Sequence, residues 1–307
     1  MLSARNLRFA YGALPVLRGV SLDAASGEVC GLFGPNGCGK TTLFRCCLGL
    51  LRATADALTV LRGVSLDAAS GEVCGLFGPN GCGKTTLFRC CLGLLRATAD
   101  ALTVDGHAIA SLPPAQRARL MAYVPQEHTP PFPLLVRDVV MLGRTPYLGL
   151  LGRATAEDRR IVGDTLEWIG LADLAARPYD RLSGGQRQLV LIARAVAQRT
   201  PVILLDEPAS GLDFHNQVRI WGVLRSLAHA GTAVVCCSHD PNHVAWFCDR
   251  VVVMQSGSVV AQGTPAEALT GATLDRLYPG DWDLTAAGSV PVILPRSVTS
   301  PRRSTRP

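Results

Sequence analysis

The chain has 307 residues, 48% of them hydrophobic and 18% charged, which excludes a disordered polymer and leaves room for one large α/β domain, with or without an inserted subdomain. Its formal net charge of +6 is mild and falls partly in a tail with Arg296, Arg302, Arg303 and Arg306, so no basic nucleic-acid module is indicated. No uncharged apolar run approaches the roughly 20 residues of a membrane span.

The opening residues lack the charged, apolar and cleavage-site order of a secretory signal, so a cytoplasmic chain is expected. A repeat follows. Residues 17–60 read LRGVSLDAASGEVCGLFGPNGCGKTTLFRCCLGLLRATADALTV, and residues 61–104 repeat them without a change. Each copy holds an apolar strand, a Gly-rich loop and a short helix, a unit that cannot bury both its faces alone. One copy is therefore expected to dock and the other to be extruded as a 44-residue insertion. Closing such a loop costs about 3 kcal/mol whichever copy is shed. Copy two is favoured as the working copy, because residues 61–270 then form one uninterrupted core. Copy one has an unbroken hairpin from the first strand in its favour. Eight of the eleven cysteines fall in the repeat and no CxxC pair occurs, so free buried thiols in a reducing compartment are expected.

Within copy one, Gly34, Pro35, Asn36, Gly37, Cys38, Gly39, Lys40, Thr41 and Thr42 match GxxxxGK[ST]. Gly78, Pro79, Asn80, Gly81, Cys82, Gly83, Lys84, Thr85 and Thr86 match it again in copy two. Each run follows an apolar strand and opens an apolar helix, the context that makes the pattern a phosphate site. Backbone amides wrap the phosphates where a Cβ would block the turn, and the helix start adds unpaired donors. Lys84 or Lys40 is expected to reach the terminal phosphates, and the hydroxyl of Thr85 or Thr41 to ligate Mg²⁺.

Farther along, RDVVMLGR and AEDRRIVGDTLEWIGL are helix-like, with Ile161, Leu166, Trp168 and Ile169 at core-facing spacing. RQLVLIARAVA after Gln186 is a further helix. Val202–Leu205 is four apolar residues before Asp206 and Glu207, a buried parallel strand ending in two acids. Asp206 is expected to hold Mg²⁺ and Glu207 to polarise an attacking water. GTAVVCC at 231–237 is another buried strand, ending at Ser238, His239 and Asp240.

Taken together these motifs resemble the ATP-binding subunits of ABC transporters over roughly residues 3–270. The most specific match is Leu182, Ser183, Gly184, Gly185 and Gln186, the family's signature. The resemblance implies an α/β P-loop NTPase (RecA-like) fold: an ABC nucleotide-binding domain with an antiparallel β subdomain and an inserted α-helical subdomain. The domain would span 1–275, with the helical subdomain at 127–180, and a C-terminal extension at 276–307 ending in a disordered basic tail. Tyr11 corresponds to the aromatic that stacks on adenine, and Gln126 to the glutamine that links Mg²⁺ and water to the helical subdomain. Asp206 and Glu207 correspond to the acid pair, Ser210–Asp213 to the D-loop and His239 to the switch histidine.

The implied cofactors are ATP and Mg²⁺. The implied partners are a second ATPase subunit in a head-to-tail homodimer, a transmembrane permease dimer and, indirectly, a substrate-binding protein, with no nucleic acid. The chain would sit on the cytoplasmic side of the membrane through its permease. Gly143–Tyr147, with Leu212–Phe214, Asn216 and Gln217, is similar to the iron-siderophore, haem and cobalamin importer branch. The alternatives are a soluble ABC-type ATPase without a transport role and a fold-compromised, non-catalytic product of duplication.

Overall fold

A computed structural model describes residues 2–11, 14–24, 57–59, 61, 64–95, 102–126, 133–148, 152–280, 282–288 and 290–296, with the segments up to Thr59 and Ala110 described by backbone alone. Strand β1 (Leu2–Tyr11) pairs antiparallel with β2 (Leu14–Ala24) on one edge and with β3 (Ala57–Thr59) on the other. This is the expected antiparallel subdomain.

The central sheet takes β4 (Val73–Phe77), β7 (Met121–Val124), β8 (Val202–Asp206), β9 (Ala233–Ser238), β10 (Arg250–Gln255) and β11 (Ser258–Gly263). Their order is β11–β10–β4–β9–β8–β7, parallel except for β11. Every residue of β4 and β9 is buried, the continuous apolarity that a sheet covered on both faces requires. Between these strands lie a small hairpin, β5 (Thr103–Val104) with β6 (His107–Ala108), and the helices α1 (Lys84–Cys91) and α2 (Pro114–Leu120).

The two copies of the repeat are used differently. Leu17–Ala24 lies in β2, whereas the described residues of the identical string 61–68 hold no strand. Ala57–Thr59 pairs with β1, while its counterpart contributes Thr103 to β5. Sequence alone does not decide these segments; the neighbouring backbone that offers a ladder does. Copy one is thus not shed whole, as its two ends flank β1 while copy two supplies β4.

Helix α3 (Val136–Met141) packs on α4 (Ala156–Trp168) and on α5 (Gly184–Ala197) to form the inserted helical layer. A buried ion pair, Arg144 Nε to Asp158 Oδ1 at 2.9 Å, ties the segment after α3 to the start of α4. Arg144 also donates to the Ala197 carbonyl and lies over the Tyr147 ring, its Cζ 4.0 Å from the centroid. The motif Gly143–Tyr147 therefore locks the helical layer internally. Ile161, Leu166 and Ile169 are buried as their spacing predicts, but Trp168 is 49% exposed. It falls on the outer side of the last turn of α4, so its assignment to the core is corrected.

Helices α6 (Phe214–His229) and α7 (Pro241–Phe247) follow β8 and β9. Then come α8 (Pro265–Ala268), α9 (Gly271–Leu277) and a terminal antiparallel hairpin, β12 (Trp282–Ala287) with β13 (Val290–Pro295). Ile293 of that hairpin is buried in the main core.

Candidate functional site

Strands β4, β9 and β8 lie side by side and end level with one another, since Phe77 pairs with Ser238 and Cys237 with Asp206. That register brings three segments to one rim: the glycine-rich loop after β4, the acid pair after β8, and His239 after β9. The carboxyl ends of parallel strands are where such sheets place their ligands.

From Gly78 the loop turns into α1. Gly78 has φ +155°, and a Cβ there would stand 2.2 Å from the Met254 carbonyl oxygen, so only glycine lets the loop pass beneath β10. Lys84 is buried and curls back, its Nζ donating to the Gly78 carbonyl at 2.6 Å and to that of Pro79 at 3.3 Å. No side chain caps the start of α1, so its first amides remain available to an anion. Cys82 is buried within the loop and burial pushes its thiol pKa up, away from thiolate chemistry.

Thr85 Oγ1 donates to Asp206 Oδ2 across 2.7 Å. Tyr123, on the neighbouring β7, also donates to Asp206 Oδ2 at 3.4 Å, and burial followed by the Asp206 charge raises its phenol to about 12. Glu207 has a left-handed backbone, φ +53°, and its Oε2 lies 2.5 Å from Nδ1 of His239. Gln126 is exposed two residues past Val124, whose pairing with Leu205 places it near the level of the acid pair.

This arrangement fits a magnesium-bound polyphosphate. A buried cation, open helix amides and a loop that needs glycine at Gly78 suit the phosphates, and the Thr85–Asp206 oxygen pair suits the hard metal. Of the residues singled out in the sequence, Thr85 lies against Asp206 and Glu207 against His239, while Lys84 is folded into its own loop. Gly34 to Thr42, the loop of copy one, lies outside the described residues, as does the side chain of Tyr11 at the end of β1.

Ser183 and Gln186 form a capping box on α5: Gln186 N donates to Ser183 Oγ and Ser183 N to Gln186 Oε1. Ser183 and Gly184 are exposed, and among the described residues no hydrogen bond joins them to the phosphate loop. The helix start leans instead on the segment after Glu207. A Cβ at Gly185 would meet Asn216 Oδ1 at 2.5 Å, and Asn216 is held by Asp213, the cap of α6.

A cavity of about 90 Å³ lies behind this rim, lined by Glu207, Ser210, Gln217, Trp221, His239 and His243 among others. His243 and Tyr123 were not evident from the sequence. Gln217 stands there only as a marker of family branch. His243 belongs to no motif and Tyr123 only opens the run YVPQ that ends at Gln126; both are recognised by the strand or helix that carries them to the rim.

The model of the ABC transporter family matches residues 17–62 and 61–210. The hemin import ATP-binding protein HmuV of Thermobifida fusca is 36% identical over 297 residues, covering 96% of this chain and 88% of that protein. The iron(3+)-hydroxamate import ATP-binding protein FhuC of Bacillus subtilis is 36% identical over 284 residues, covering 92% and 89%. Among solved structures, the ADP conformation of MJ1267, an ATP-binding cassette of an ABC transporter, superposes with a TM-score of 0.62 at 21% identity, covering 91% of this chain and 98% of that one, a likeness of fold.

Proposed function

This chain belongs to the ABC transporter family, and from that membership we propose that it powers uptake of an iron-bearing chelate, a ferric siderophore or haem, through a membrane permease. It is an ABC-type ATPase that uses ATP with Mg²⁺. The observation that carries the cargo class is the 36% identity, over nearly the whole chain, to import ATPases for hemin and for iron(3+)-hydroxamate. Among the described residues no helix is long and apolar enough to cross a membrane.

Bound MgATP supplies the phosphoanhydride that water cleaves to ADP and phosphate. Lys84 and the amides of Gly78–Thr86 are read as the phosphate grip, which the burial of Lys84 inside its loop supports. Thr85 and Asp206 are read as the metal-holding pair, with Gln126 completing the link to the helical layer. Glu207 orients and polarises the attacking water, and His239 steadies that carboxylate and faces the γ-phosphate. Tyr11 stacks on adenine. Copy two is the working copy, a reading supported by the place of its strand β4 in the middle of the parallel sheet.

Two such chains face head to tail, each offering Ser183–Gln186 to the nucleotide of the other. The exposure of Ser183 and Gly184 supports a partner-facing role. The permease pair receives the helical layer, and a binding protein delivers the cargo.

The test is growth on one iron source at a time. A strain deleted for this gene is expected to lose growth on haem or on a hydroxamate siderophore, with rescue by the wild-type gene and none by Glu207→Gln. Unimpaired growth on both sources would overturn the cargo assignment.

A further inference from the structure

We propose that Gln217 and His243 are positioning residues that hold Glu207 and His239 in register with each other for hydrolysis. The inference rests on the reading of Glu207 and His239 as the pair facing the attacking water.

Glu207 sits in a left-handed backbone conformation, uncommon for a residue with a Cβ. Such a conformation persists only where its surroundings over-determine it. The turn that follows is closed by Ser210 N donating to the Glu207 carbonyl at 3.1 Å. Its outgoing segment is gripped by one side chain on α6: Gln217 Nε2 donates to the Leu212 carbonyl at 3.0 Å and reaches that of Ala209 at 3.5 Å. The two carbonyls flank Ser210 and Gly211, so the amide of Gln217 fixes the course of the chain leaving Glu207.

The other end of that amide reaches His243, on the helix that follows His239. With both donor contacts spent on carbonyls, Gln217 Oε1 is an acceptor, and it lies 3.3 Å from Nε2 of His243. That contact requires the proton of the neutral His243 ring on Nε2. Asp240 Oδ2 is 3.6 Å from the same nitrogen and attracts the same proton. Asp240 also caps α7 through Asn242 N at 2.8 Å, directly after His239. The His243 ring is hemmed in by Trp221 at 5.8 Å and Phe247 at 6.5 Å, and those two stack on one another at 5.1 Å. It therefore has little freedom to leave Gln217.

The consequence is mechanical. Glu207 ends β8 and His239 ends β9, and their contact needs both loops at a fixed height. Gln217 and His243 join the segments just beyond each, across the cavity that Glu207 and His239 also line. Neither Gln217 nor His243 needs to touch the nucleotide for this role.

The test measures MgATP turnover, nucleotide affinity and melting temperature of the full chain for Gln217→Glu, His243→Phe and Glu207→Gln. Gln217→Glu keeps shape and acceptor but loses the donor, and His243→Phe keeps the ring but loses Nε2. Each is expected to lower kcat about ten-fold or more, with KM for ATP and the melting temperature unchanged. A kcat within two-fold of wild type in both, or a kcat that falls only in step with the melting temperature, overturns the proposal. Turnover lost in Glu207→Gln but kept in Gln217→Glu overturns this inference alone. Turnover that survives Glu207→Gln overturns the assignment of Glu207, and this inference with it.

Discussion

Thr85 reaches Asp206 across 2.7 Å, so the first turn of α1 and the tip of β8 share one oxygen pair. The sequence contains a second threonine, Thr41, in an identical setting, but Asp206 occurs once. On the proposed reading, one acid pair serves one phosphate loop, that of copy two. Lys84→Ala is accordingly expected to cut MgATP turnover by a hundred-fold or more, since it removes the one buried cation of the loop. Lys40→Ala is expected to leave turnover within two-fold. Steady-state phosphate release from the two purified variants decides the matter, and the reverse pattern would move the site to copy one.

Deletion of one copy tests the cost of carrying two. Removing residues 17–60 or 61–104 yields the same 263-residue chain, so one deletion stands for both. The shortened chain carries 44 fewer residues between β1 and β4, and an insertion of that length costs about 3 kcal/mol to close. Its melting temperature is expected to rise by roughly 5 °C or more, with turnover retained. Equal melting of the two chains would mean that the ends of copy one, by flanking β1, recover what the loop costs.

The rim of the site was legible because its residues are tied to strand ends. Asp206, Glu207 and His239 each follow an unbroken apolar run, and such runs identify buried parallel strands without any tertiary knowledge. The repeat was not legible in the same way, because LRGVSLDA carries no instruction about which neighbour it will meet. Trp168 misled because helical spacing marks a face, not the point where that face runs out of partners. The terminal hairpin was invisible for a different reason: WDLTAA and VPVILP alternate poorly, and what anchors them is a side chain on α7, far away in sequence. Gln217 and His243 belong to the same class, since their meaning lies in a meeting of two helices.

The ion pair of Arg144 and Asp158 has a pH signature. Asp158 accepts from the Thr155 hydroxyl at 2.7 Å, from the Thr155 amide at 3.0 Å and from Arg144 at 2.9 Å. These donors, Thr155 foremost, lower its pKa from 3.8 to about 2. A carboxyl that titrates lower when folded stabilises the fold fully above its unfolded pKa, and loses that contribution as pH falls through the folded one. The contribution is about 2 kcal/mol, of which roughly half is gone at pH 3. Asp158→Asn leaves Arg144 buried without its counter-charge and is expected to cost about 3 kcal/mol at pH 7. Urea unfolding at pH 7 and pH 3 measures both effects: the gap between wild type and variant narrows at the lower pH. A gap independent of pH would show that packing, not charge, sets the cost.

Asn242 holds the terminal hairpin by both backbone polar groups of one residue, Ile293. Its Nδ2 donates to the Ile293 carbonyl at 2.9 Å, and its Oδ1 accepts from the Ile293 amide at 2.8 Å, the pairing a neighbouring strand would make. The side chain thus extends the ladder of β13 onto α7, three residues past His239. Asn242→Leu removes both bonds at similar volume and is expected to cost about 2 kcal/mol. Because Ile293 is buried while the outer residues of β12 are exposed, the loss is expected first as opening of the hairpin rather than of the whole domain. Hydrogen exchange at residues 282–295 should quicken by ten-fold or more while β4, β8 and β9 stay protected. Uniform quickening across the central sheet would instead make the hairpin an integral part of the main cooperative unit.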